Sequence, residues 1–219
     1  MEQKPAIKVE LIDHMGDDLR VANVARVSFA KWKEALDSKD VRLLFYLAEH
    51  DHSSPFRHTA ITLRVEAPIW LARQLGKHQV GMSWNEVSRR YVDTGIEIWT
   101  PDEWRSRPDK SIKQGSGEPL SPDLQAFADR IVADSHRIAL ETYEALLAIG
   151  TAPEQARGVL PQNMVTSWIW TGSLSAFFHC YRLRAGEGAQ QEAKDFAALL
   201  EAVIRPLFPH SWEALRENT

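Results

Sequence analysis

Two stretches of this sequence alternate apolar and polar side chains with a period of two. They are Ile7–Ile12, with Ile7, Val9 and Leu11 against Lys8 and Glu10, and His58–Glu66, with Ile61, Leu63 and Val65. Alternation sends successive side chains to opposite faces, so both segments read as strands. Nearly every other long periodic segment is helical. A helix is expected from Asp17-Asp18 to about Ala30, with Leu19, Val21, Val24, Ala25 and Phe29 as its apolar stripe, and a second over Asp40–Glu49. Pro68 suits the first turn of a helix from Ile69 to about Lys77, because proline loses no needed hydrogen bond there. Leu124–Ile149 is helical throughout, with Gly150 as its stop. Leu174–Leu183 and Ala189–Ile204 read as two closing helices around Ala185-Gly186-Glu187-Gly188. Met164–Trp170 fits either a strand or a buried helix turn, which a short apolar run does not decide. Prolines, glycines and serines between Thr100 and Asp123 mark a surface excursion, 100–123. The expectation is a single α+β domain over residues 1–219.

The chemistry-bearing groups concentrate between Lys77 and Tyr91. These 15 residues hold Lys77, His78, Glu86, Ser88, Arg89 and Arg90, more phosphate-binding and proton-handling groups than a solvated face needs. The motif is expected to start at a helix C-terminus and continue through a loop. The chain as a whole is acidic, with a formal net charge of -4 and a pI near 6.1. A cationic island on an acidic protein suits a small anion better than a nucleic acid, which calls for a broadly basic surface. No apolar run reaches the roughly 20 residues of a membrane span. The first residues lack the basic-then-apolar order of a secretory signal, so a cytoplasmic location is expected. The lone Cys180, among Phe177, Phe178 and Tyr181, reads as a small core residue and allows neither an internal disulfide nor a thiolate metal cluster.

Arginines of the C-terminal third extend the cationic set. Arg182 and Arg184 are two residues apart, about 200° around a helix, so one of them is expected to face inward. Arg184 lies beside the glycine-containing break, and Arg157, before Val159-Leu160-Pro161, is expected to be pinned near the core. A guanidinium held there needs an anionic partner.

Arg73-Gln74-Leu75-Gly76-Lys77-His78-Gln79 followed by Ser83-Trp84-Asn85-Glu86-Val87-Ser88-Arg89-Arg90-Tyr91 resembles the signature of flavin-dependent thymidylate synthases, the thymidylate synthase complementing family. Three further blocks fall in matching order: His52-Ser53-Ser54-Pro55-Phe56-Arg57-His58, Ala156-Arg157-Gly158-Val159-Leu160-Pro161, and Leu183–Glu192. The resemblance covers about Ile7 to Leu215. It implies a small, mainly antiparallel sheet packed against several helices, in a homotetramer with active sites shared between subunits. It also implies FAD, NADPH as reductant, methylenetetrahydrofolate as one-carbon donor and dUMP as substrate, without an attacking cysteine. Carried onto matching positions, Gln74, Glu86, Ser88, Arg89, Arg90 and Arg157 would hold dUMP, with Lys77 near both ligands. Arg184 would contact the uracil and act as the catalytic cation, stabilising negative charge on the ring. For FAD the matching positions are Ser54, Lys77, His78, Gln79, Glu86, Ser173, Ser175 and His179, with His52 nearby. Lys77-His78-Gln79 stands where the family pattern has Arg-His-Arg, and Ser173, Ser175 and His179 stand where Asn, Arg and Asn are expected. Lysine keeps a charge but loses the guanidinium fork, while glutamine and serine lose the charge.

Three other readings compete. His50-Asp51-His52 with His58 and His78 suits a metal-dependent phosphohydrolase. Trp84, Arg89, Arg90 and Tyr91 suit a stacking and phosphate platform for single-stranded nucleic acid. The changed flavin positions suit a family member acting on another pyrimidine nucleotide.

Overall fold

The computed structural model describes residues 6–111 and 115–218. Four strands run β1 (Lys8–Met15), β2 (Ala60–Pro68), β3 (Met82–Glu86) and β4 (Val165–Gly172). The helices are α1 (Asp18–Arg26), α2 (Ser38–Glu49), α3 (Ile69–Leu75), α4 (Pro122–Ala148), α5 (Pro153–Ala156), α6 (Leu174–Ala185), α7 (Gln191–Ile204) and α8 (Pro209–Glu217). The sheet order is β1-β2-β4-β3. Thr62 faces Thr171 while Ile69 bonds to Met164, so β2 and β4 are antiparallel. Trp84 against Trp170 and Val87 against Ser167 set β3 antiparallel to β4 in the same way. The fold is α+β.

The expected strands and long helices are present, with informative shifts. Met164–Trp170 resolves as strand β4, whose buried residues Val165, Thr166, Trp168 and Trp170 leave no helical face. Pro68 ends β2 instead of opening α3, which starts at Ile69 and stops at Leu75, short of Lys77. The motif from Lys77 to Tyr91 is not all loop, since Met82–Glu86 forms edge strand β3 on β4. That pairing demands close backbones: a Cβ on Gly172 would collide with the Met82 sulfur and press on the Gly81 carbonyl. The short α5 and the closing α8 have too few periodic positions to stand out in the sequence.

The chain divides into two compact units, and β2 and β4 contribute residues to both. The larger unit comprises Lys8–Val65, Leu75–Asn85 and Ile169–Thr219. In it α6 packs on α7, α2 on α8 and on α1, and α7 on β1. Its core is built from Leu44, Phe56, Ile61, Leu63, Trp170, Phe177, Phe196, Phe208 and Trp212, all fully buried. Each such side chain contributes about 1.5–3 kcal/mol by leaving water. Asp17 caps α1, its side chain accepting from the Arg20 N–H, and Asp37 with Asp40 forms a capping box on α2. The Asp18 carboxylate accepts the backbone N–H groups of His210 and Ser211, both at 2.8 Å, and so caps α8 from 192 residues away.

The smaller unit is built mainly from Glu66–Gln74 and Glu86–Trp168. Its long helix α4 packs against α5 and the turn that follows, burying Tyr143, whose hydroxyl donates to the Asp93 carbonyl at 3.4 Å. Leu124, Phe127, Ile131 and Ile138 recur at helical spacing along a different face of α4 and are 48–55% exposed. Within the 100–123 segment Arg105 and Pro119 pair as an antiparallel bridge.

Candidate active site

In the smaller unit the cationic residues are organised by turns and by one carboxylate. Beyond β3, Ser88 accepts the N–H groups of Tyr91 and Val92 on its carbonyl, closing a turn that carries Arg89 and Arg90. The Arg89 guanidinium donates to three backbone carbonyls, Val92 at 3.3 Å, Thr94 at 2.6 Å and Gly95 at 3.3 Å. Arg89 thus commits three of its five N–H donors to shaping the 92–95 turn. Arg90 is exposed, lies over the Tyr91 ring at 5.6 Å and meets the Glu154 carboxylate at 3.4 Å. Arg157 donates from Nε to the Glu154 carbonyl at 3.3 Å. Two guanidinium groups are therefore gathered on one residue at α5. Arg157 is exposed and not pinned near the core, because its short helix turns it outward while Ala156 is the buried residue.

Glu86, at the end of β3, accepts the Thr166 hydroxyl of β4 at 2.8 Å, which fixes its carboxylate by strand pairing. Gln74 is half-buried on the last turn of α3. Ser88 is half-buried, its hydroxyl accepting the Arg90 N–H at 3.3 Å. Sequence reasoning missed Glu154 and Thr166. Glu154 was legible as an acid three residues before Arg157, whereas Thr166 needed the strand assignment that the sequence left open.

In the larger unit the centre is His78, just past α3. Arg184, near the end of α6, is half-buried and donates from Nε to His78 Nε2 at 3.0 Å. Burial, then Arg184 and His179, push the His78 imidazole down to about 4, so it is neutral near pH 7. The His179 ring approaches edge-on, centroids 6.2 Å apart, and its Nδ1 lies 3.4 Å from the exposed Arg182. Of the two arginines the inward one is Arg184. Lys77 and Gln79 are exposed, Gln79 donating weakly to the Gly76 carbonyl at 3.5 Å. Ser175 is half-buried on α6, while the Ser173 hydroxyl accepts the Ala176 N–H as the α6 cap. His52 and Ser54 are exposed before the Pro55–Arg57 turn.

Cys180 is fully buried and burial pushes its thiol up to about 12, so it offers no thiolate. His50 and His52 pack around Tyr46, centroids 4.1 and 6.0 Å away. Among the described residues no three His, Cys, Asp or Glu side chains gather as a metal-ligand group. Trp84 sets its ring edge-on to Trp170 at 5.4 Å. No helix among the described residues is long and apolar enough to cross a membrane.

Residues 10–210 match the family described as thymidylate synthase complementing protein. A flavin-dependent thymidylate synthase of Kosmotoga olearia is 34% identical over 206 residues, 94% of this chain and 88% of that protein. One from Thermotoga neapolitana is 36% identical over 207 residues, 94% of this chain and 89% of that protein. The crystal structure of a UMP/dUMP methylase, PolB from Streptomyces cacaoi bound with 5-Br dUMP, superposes with a TM-score of 0.88 at 31% identity, covering 99% of this chain and 97% of that one. The same methylase bound with 5-Br UMP gives 0.84 at 30% identity, over 98% and 96% of the two chains. With the matching motifs spread over nearly its whole length, the chain belongs to the thymidylate synthase complementing protein family.

Proposed function

We propose that the protein is a flavin-dependent thymidylate synthase that converts dUMP to dTMP, with methylenetetrahydrofolate as one-carbon donor and NADPH as reductant. The observation that carries this reading is the gathering of Arg90 and Arg157 on Glu154, inside the motifs that match the family. Two forked cations beside one displaceable carboxylate suit a phosphate monoester, which offers more charge and more acceptor oxygens. Gln74, Glu86 and Ser88 would orient the nucleotide, with Lys77 near both ligands. Arg184 would face the uracil and stabilise the negative charge that builds there, making C5 the nucleophilic carbon. No thiol is needed, in keeping with the inert Cys180.

The donors in the larger unit suit FAD. Lys77, His78, Gln79, Ser175 and His179 bring N–H and O–H donors that fit an anionic diphosphate and a polar ring edge, and Glu86 and the exposed His52 and Ser54 would complete the set. FAD held there and reduced by NADPH would supply the hydride that reduces the transferred one-carbon unit. Ser173 would act chiefly by holding the first turn of α6.

The reading takes residues 1–219 as one domain with 100–123 as an excursion, working in the cytoplasm as a homotetramer with sites shared between subunits. The exposed apolar line on α4 supports such self-association. Product analysis of the purified protein with dUMP, methylenetetrahydrofolate, NADPH and FAD tests the reaction. The expected result is dTMP and a flavin spectrum in the visible, with Arg184→Ala abolishing product while the flavin stays bound. A colourless protein that forms no dTMP after reconstitution with FAD rejects it.

A second reading is favoured by the likeness to PolB in complexes with both nucleotide analogues: UMP would also be methylated. Comparison of kcat/KM for UMP and dUMP decides, and absence of UMP turnover removes it.

A further inference from the structure

His78 lies on one side of Arg184 and presents a single ring nitrogen to it. A guanidinium N–H can donate only to a lone pair, so Nε2 is unprotonated and the ring proton sits on Nδ1. Fixing Nε fixes the plane of the guanidinium, because the group is rigid and flat. We infer that His78 is the positioning residue for Arg184, holding the cation in the orientation that the reaction on the pyrimidine ring needs.

The surroundings suit that task. The His78 backbone N–H donates to the Leu75 carbonyl at 2.9 Å, which ties this stretch of main chain to the end of α3. The edge-on ring of His179 limits its rotation. Its depressed basicity keeps the lone pair available well below neutral pH. A protonated ring would instead place two cations in contact. A carboxylate at this position would hold Arg184 more tightly but cancel its field. A neutral acceptor orients the cation without adding a negative charge of its own. The role rests on the proposed thymidylate synthase reaction and is distinct from a flavin contact, because it acts through Arg184.

Substitution separates the two. Glutamine places its side-chain oxygen near the position of Nε2, whereas asparagine is too short to reach Arg184 and leucine has no acceptor. His78→Leu and His78→Asn are expected to lower kcat by roughly 100-fold, the scale of losing one preorganised electrostatic contact. Measured at saturating FAD, KM for dUMP should change less than about threefold, and His78→Gln should recover at least about tenfold of the loss. Nitrogen-15 NMR of histidine-labelled wild type should show His78 neutral with an acceptor Nε2, shifted in Arg184→Ala. Turnover of His78→Leu within threefold of wild type, a loss cured by excess FAD, or equal loss in the Gln and Asn variants would overturn the inference. If the wild type forms no dTMP the proposed reaction fails, while an Nε2 signal unmoved by Arg184→Ala still refutes the pairing itself.

Discussion

Acidification should cost this protein stability at His78, and replacing that side chain should remove the cost. The unfolded chain carries a histidine near 6.5, whereas the folded protein holds it down to about 4 through burial first, then the charges of Arg184 and His179 on α6. For a base with a depressed folded pKa the sign is fixed. Above about pH 6.5 neither state binds the proton and His78 contributes nothing. Between about 6.5 and 4 only the unfolded state is protonated, so stability falls with pH. At about pH 5 the linkage amounts to about 2 kcal/mol, reduced to about 1 kcal/mol once solvent screening of a half-buried group is allowed for. Urea denaturation of wild type and His78→Gln at fixed protein concentration, at about pH 7.5 and about pH 5, measures this difference. The wild type should lose about 1 kcal/mol more than the variant at an unchanged slope. Equal losses would show that the folded state protonates His78 as easily as the unfolded one, and the neutral acceptor would be wrong.

Asp18→Ala should lower stability by about 1–3 kcal/mol, because it strands the buried Ser211 N–H and leaves the His210 N–H uncapped in the first turn of α8, and a drop in thermal midpoint measures it. Cys180→Ala should keep turnover within about threefold at some loss of stability, since the thiol is buried and unionised, and a larger loss of kcat in the folded variant would implicate the sulfur. Ile131→Glu, in the middle of the exposed α4 line, should reduce the oligomer seen by light scattering while leaving far-UV circular dichroism unchanged.

Much of this architecture was legible because burial writes a period into a sequence. Ile61, Leu63 and Val65 gave β2, and Asp17 ahead of an apolar stripe gave α1, since in each a local rule and the tertiary outcome agree. The edge strand β3 was hidden because Ser83, Asn85 and Glu86 are exposed and only Met82 and Trp84 face inward, too short an alternation to stand out from a polar motif. The inward turn of Arg184 followed from helical geometry, but its partner His78 stands 106 positions away and no local pattern links them. Arg157 was misplaced for a related reason. Apolar neighbours in sequence do not bury a side chain when a short helix and a tight turn rotate it outward. For Arg89 the sequence supplied a cation, while the three carbonyls that accept from it come together only once the turn has formed.

The long-range cap that Asp18 places on α8 has a kinetic side. During synthesis β1, α1 and α2 emerge early, yet the acceptor built into the first turn of α1 finds no donors until Pro209–Glu217 has been made. Closure is postponed to the final docking, which then locks strand and helices cooperatively.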